Sequence, residues 1–180
     1  MPNACSRIGD GEMRRAVRAA CVIVALFSTT PAFAQEVKLL EKYKDWSAYT
    51  ATGSPKVCFA VSQPKESTPK NVRRGPIYIY ISHYPADKIT GEVSVKMGYP
   101  FAAGAKVTVM VGNDKFELFT KDEGAFVEKT DDEAKLVAAM KAGSSMKVQG
   151  RSARGTNTSD SYSLSGISDA LDRIEKECGS

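Results

Sequence analysis

Apolar residues recur at every second position through most of this chain, the period that a pleated strand imposes on a half-buried surface. From Ile77 to Tyr84, Ile77, Ile79 and Ile81 share one face while Tyr78, Tyr80 and Ser82 share the other. Glu92–Tyr99 repeats the pattern through Val93, Val95 and Met97, and Ala105–Gly112 through Val107, Val109 and Val111. In Lys56–Gln63, Val57, Phe59 and Val61 alternate with Cys58 and Ala60. Asp45–Ala51, Ser145–Ser152 and Asp160–Ser165 predict further strands. Gly112-Asn113 predicts a tight hairpin, because both residues tolerate positive φ, and Gly124 predicts another turn. QEVKLLEKYKD, from Gln35, lacks the alternation and predicts a loosely ordered lead or a short amphipathic turn. Pro64–Gly75 carries two prolines and four basic residues with no apolar period, which predicts a surface loop.

The period lengthens twice. Leu136, Val137 and Met140 form a helical stripe after Thr130, which with Glu133 has the spacing of a capping box, and Gly143 is a candidate terminator. Ile167, Leu171, Ile174 and Cys178 recur at spacings of four, three and four, predicting an inward face on a closing helix capped by Ser168. About eight short strands with only two helices predict a mainly β fold, an antiparallel β-sandwich with two short helices.

The beginning of the chain follows neither period. Arg14, Arg15 and Arg18 precede an apolar run of about nine residues, Ala19–Phe27, and Ala32 and Ala34 stand at the −3 and −1 positions of an A-x-A site. A spanning helix needs about 20 apolar residues, so residues 1–34 read as a cleaved signal peptide. Residues 35–180 then form one domain beginning at Gln35, with no transmembrane segment after cleavage. Met13 opens a more usual signal start than Met1.

Cleavage changes two tallies. It removes Arg7, Arg14, Arg15 and Arg18 with Asp10 and Glu12, lowering the formal charge from +4 to +2. So small an excess points away from nucleic acid. It also discards Cys5 and Cys21, leaving Cys58 and Cys178 of the four cysteines. An even pair in an exported chain reads as a disulfide, worth about 5 kcal/mol in the chain-entropy account of so long a loop. A buried thiol pair is the alternative. A zinc site would have to recruit distant carboxylates, because only one histidine is present.

That histidine, His83, is a candidate general base or ligand, with a surface or strand-end role as the plainer reading. No G-x-S-x-G elbow and no glycine-rich phosphate loop occurs, so neither enzyme activity nor a cofactor nor a metal is expected. Asp131, Asp132 and Glu133 suit the positive end of a helix as well as they would a cation. Two basic segments are candidate contacts for anionic lipid, glycan or an acidic protein face: Lys70, Arg73 and Arg74 on the long loop, and Arg151 with Arg154. Solvated loop charge explains them equally. Tyr78, Tyr80 and Tyr84 suit either partner contact or cross-strand packing.

The C-terminal half carries a resemblance. Met140-Lys141-Ala142-Gly143, Arg154-Gly155-Thr156, Tyr162-Ser163-Leu164-Ser165-Gly166 and Ala170-Leu171 resemble the M-K-x-G, R-G-T, Y-S-L-x-G and A-L motifs of the bacterial invasion-associated locus B family. Asp45-Trp46 and Lys56-Val57-Cys58 resemble its opening. Tyr49 departs from it, standing close to where many members carry another cysteine, which leaves one bridge here rather than two. The resemblance implies an exported periplasmic, secreted or surface protein with an immunoglobulin-like sandwich and no catalytic residues. The family takes its name from a member linked to entry into host erythrocytes. The expectation is therefore a non-enzymatic interaction protein contributing to host-cell invasion or adherence, its partner a protein or glycan on the host cell or bacterial envelope. Candidate contacts are Tyr78, Tyr80, Arg151, Arg154 and Thr156, and peripheral membrane contact stays open. The alternative is an envelope structural, assembly or stress factor with no host role. Arg154 could instead tie its loop to Asp160, and Tyr162 is expected beside Trp46 in the core. Intact-mass measurement of the exported protein should place its first residue at Gln35, with both thiols resistant to alkylation unless reductant is added. Free alkylation of both sulfurs overturns the disulfide.

Overall fold

Hydrogen bonding joins every strand among the described residues into one antiparallel sheet. The computed structural model describes residues 36–179; the expected leader and cleavage site, with Cys5 and Cys21, lie outside the described residues. The strands are β1 (Glu36–Tyr43), β2 (Trp46–Thr52), β3 (Val57–Ser62), β4 (Glu66–Thr68), β5 (Tyr78–Tyr84), β6 (Ile89–Lys96), β7 (Lys106–Val111), β8 (Asp114–Lys121), β9 (Gly124–Phe126), β10 (Ser145–Arg151) and β11 (Asn157–Ser163). Helix α1 (Thr130–Ala142) precedes β10, and α2 (Ile167–Cys178) follows β11. Across the sheet the order is β1-β2-β3-β5-β6-β9-β8-β7-β10-β11-β4.

The fold is mainly β, and its strands form this one continuous sheet rather than two separately hydrogen-bonded layers. The sheet is strongly curled. Eight steps separate β2 from β11, roughly 38 Å if the sheet were flat. Yet the Asp45 amide donates to the Ser165 carbonyl at 3.3 Å, and Trp46 Nε1 donates to the Ser163 carbonyl at 3.1 Å. Ile79, Ile81, Val93, Val95, Val107, Val109 and Val148 accordingly share one core, with Trp46 and Tyr162 buried in it.

Two segments without an apolar period are nevertheless strands. The polar lead from Glu36 is β1, paired with β2, and Glu66–Thr68 within the expected loop is β4, paired with β11. Both lie at edges of the sheet, where one neighbour supplies the backbone partners and charge or shortness guards the open side.

The same loop ends in a buried ion pair. Arg74 Nη1 and Nη2 donate to Asp160 Oδ1 and Oδ2 at 2.7 and 2.6 Å, while Nε and Nη2 also donate to the Met97 carbonyl. The side chains are 7% and 0% exposed. Arg74, not Arg154, holds Asp160. The guanidinium lies 5.0 Å from the Tyr99 ring centroid, and Tyr99 shares a 2.5 Å hydrogen bond with Thr158.

The helices dock through other means than their expected caps. Thr130 and Glu133 form no capping box: Lys129 stands at the N-cap, and Glu133 Oε1 instead accepts the Val93 amide of β6 at 2.7 Å. Gly143 does end α1 as expected, its amide donating to the Ala139 carbonyl at 2.9 Å, though its backbone is extended rather than left-handed. It is glycine because a Cβ there would come within 2.7 Å of Val111 and 3.1 Å of Leu164. At α2 the N-cap is Gly166 (φ 91°), not Ser168, and a Cβ would run into the Tyr43 carbonyl. Ile167, Leu171, Ile174 and Cys178 all point inward, and Cys178 is joined to Cys58 of β3 with 5.9 Å between Cα atoms.

Arg74→Met and Asp160→Asn should each cost about 3–5 kcal/mol in urea unfolding, because either change strands a buried polar partner. Replacing both with apolar residues, Arg74→Met with Asp160→Leu, should recover much of that loss. A single-variant cost below about 1 kcal/mol would show that the pair does not brace the sheet.

Candidate functional site

The alternation in β5 sends Ile79 and Ile81 into the core and leaves Tyr78 and Tyr80 on the outer face, both half-buried. Their neighbours there are also rings. Tyr49 stacks on Phe59 with centroids 5.3 Å apart, Phe59 meets Tyr80 edge-on at 5.9 Å, and Tyr80 lies 5.7 Å from Tyr78. Cross-strand register extends the tier, since Tyr80 is opposite Ser94, Ser94 opposite Phe126, and Phe126 packs on Phe119 at 5.7 Å. Burial pushes the Tyr80 hydroxyl pKa upward, with the neighbouring Tyr78 adding to it. Much of this tier is cross-strand packing, with a partly exposed edge at Phe119.

The basic segments behave differently: two stretches remote in sequence converge. The β10–β11 hairpin folds back through a Gly155 amide to Ser152 carbonyl bond of 2.8 Å and a Ser152 amide to Thr156 carbonyl bond of 2.9 Å. It is anchored to the exit of β6 where the Ala153 amide donates to the Pro100 carbonyl at 2.8 Å. Arg74, held by Asp160, fixes the other loop against the same exit. Between them lies a cleft of about 260 Å³ lined by Asn71, Arg73, Ser152, Arg154, Thr156 and Thr158, with Arg74 and Tyr99 at its base. Arg73 and Arg154 are exposed, and neither has a carboxylate within salt-bridge distance among the described residues. The cleft thus offers two guanidinium groups without a carboxylate partner, beside hydroxyl and amide side chains.

Of the five residues expected to make contacts, the structure brings Arg154 and Thr156 into this cleft. Arg151 is exposed at the end of β10 and lies over Gly155 rather than lining it. Tyr78 and Tyr80 stand apart on the outer face of β5 and line other depressions. Arg73 and Asn71 complete the cleft, and Arg74, Tyr99 and Asp160 build its base. One of these left a trace in the sequence. Asp160 occupies the inward phase of β11, between Thr158 and Tyr162, where a charge demands a buried partner.

His83 is not a surface residue, although it does stand one position from the end of β5. It is 5% exposed, paired with Cys58 across β3–β5 and covered by α2. Burial lowers its pKa, and the adjacent Glu175 carboxylate only partly offsets this. Among the described residues no three His, Cys, Asp or Glu side chains are grouped to hold a metal ion, and no helix is long and apolar enough to cross a membrane.

No curated protein and no solved structure matches the chain. One family profile does, that of the invasion associated locus B (IalB) protein, over residues 44–175. The matched span opens just ahead of Trp46, takes in the arginine cleft and both partners of the buried ion pair, and closes within α2, short of Cys178. With most of its length covered in this way, the chain belongs to the invasion associated locus B family.

Proposed function

We propose that this protein is a non-enzymatic, exported interaction domain that recognises an anionic glycan on a host cell or on the bacterial envelope. The observation that carries the reading is the convergence of Arg73 and Arg154, 81 positions apart in sequence, on one hydroxyl-lined cleft. A guanidinium recognises carboxylate, sulfate or phosphate with paired, charge-assisted hydrogen bonds. Ser152, Thr156, Thr158 and Asn71 supply the neutral donors and acceptors that sugar hydroxyls need. Export is supported by the leader in residues 1–34 and by the Cys58–Cys178 bond, which belongs to an oxidising compartment. The family's link to invasion supports a host-cell partner, and the outer tyrosine tier is a second, separate contact surface in this reading.

The test uses sulfated heparin oligosaccharides as the probe, with the neutral oligosaccharide maltohexaose as control. Arg73→Ala and Arg154→Ala should each weaken heparin binding about tenfold, the size of one charge-assisted hydrogen bond to an anion. Both positions are exposed, so the thermal midpoint should stay where it is. Tyr80→Ala should leave heparin affinity unchanged while weakening capture at the second surface. Parental affinity in both arginine variants sinks the cleft as the recognition site.

A further inference from the structure

A second concavity lies on the helix side of the sheet. Its floor comes from β5 and β6, and its walls are α1 and α2, giving a volume of about 460 Å³. That is within the range of small-molecule sites. Each wall is pinned separately: α2 by the Cys178–Cys58 bond, α1 by the Glu133 to Val93 hydrogen bond. The helices therefore have no need to close on each other, and the groove between them is preformed.

The groove is apolar with a polar pole. Ile81, Val137 and Leu171 with Ala134 and Ala138 supply its apolar surface. His83, Glu133, Glu175, Asp172 and Lys141 supply its titratable groups. His83 is the observation that points to a ligand. Its Nδ1 is buried and lies 3.1 Å from Glu175 Oε2, but off the hydrogen-bond direction, so it has no hydrogen-bond partner among the described residues. A buried nitrogen left in that condition opposes folding, and a ligand donor would relieve it. Glu133 uses Oε1 on the Val93 amide, and its second oxygen has no hydrogen-bond partner among the described residues.

The charge balance selects the class of ligand. Three carboxylates line the groove against one ammonium, Lys141, which lies 3.8 Å from Asp172. Burial also favours the neutral form of His83, so the imidazole adds no second cation near neutral pH. Because the described acids and the histidine are not grouped for a metal ion, the cation that fits is organic.

We propose that this groove binds a small amphipathic amine, its apolar body against Ile81, Val137 and Leu171 and its protonated amino group donating to His83 Nδ1 and the Glu175 carboxylate. The imidazole accepts with its own proton on Nε2. The site is distinct from the arginine cleft in both place and sign of charge, and it does not depend on glycan recognition.

His83 is the only histidine in the chain, so its ring resonances report on the groove without ambiguity. The experiment titrates the oxidised exported protein at about pH 7.5 with octylamine, and separately with octanoate, both below micelle-forming concentration. Octylamine should shift the His83 ring signals saturably and octanoate should not. Glu175→Gln, at a side chain 56% exposed, should weaken octylamine about fivefold, as expected for a part-exposed ion pair. Ala138→Trp, at an exposed position of α1, should fill the groove and abolish the response while the thermal midpoint holds. An equal response to octanoate, an unchanged response in either variant, or no saturable response to octylamine each overturns the proposal.

Discussion

A guanidinium and a carboxylate shut away from water govern how this sheet curls. Arg74 and Asp160 are 86 residues apart, and neither is tolerable in the interior without the other. Two parallel hydrogen bonds satisfy both carboxylate oxygens, and the Met97 carbonyl takes more of the guanidinium's donors. The pair therefore ties the segment before β5, the exit of β6 and the inward face of β11 to a single point. Hydrophobic burial is non-directional and would accept many ways of curling eleven strands. A bidentate ion pair accepts very few. Its strength comes with a specific geometry, and that geometry also sets the base of the arginine cleft.

The other constraint is covalent and acts between β3 and α2. The Cys58–Cys178 bond closes a span of 120 residues and fastens α2 over β3. Gly166 lets the helix begin directly against the Tyr43 carbonyl, and Ile167, Ala170 and Ile174 bury the face so presented. Helix α1 is attached on its own account, through Leu136, Met140 and Glu133. Two helices held by different anchors leave a groove between them, whereas helices packed primarily on each other would fill it. The protein thus carries two concavities of opposite character, one basic and lined by hydroxyls, the other acidic and apolar.

Both features sit on a scaffold whose surfaces are otherwise ordinary. Exposed ion pairs such as Lys106–Glu117 and Lys135–Asp132 contribute little, being screened by solvent. The outer aromatic tier is largely satisfied by its own stacking and edge contacts. What distinguishes the cleft and the groove is that each presents polar groups whose partners the described part of the chain does not itself provide.

Local periodicity was enough to place the paired interior strands and the inward stripe of α2, because a strand or helix buried on one face must repeat its apolar residues at the pitch of its backbone. It placed Ile79, Ile81, Val93, Val95, Val107 and Val109 in the core, together with Ile167, Leu171 and Ile174. The motifs from Met140 to Leu171 were enough for the family. It could not place β1 and β4, since an edge strand is held by backbone bonds to a neighbour and has no apolar face to advertise. Nor could it tell that Glu133 would turn from its own helix to the amide of Val93, or that Arg74 rather than Arg154 would meet Asp160. Spacing along a chain determines which residues share a face. Only the curled sheet decides which faces, loops and charges meet across it, because those contacts depend on distances through space that no local period encodes.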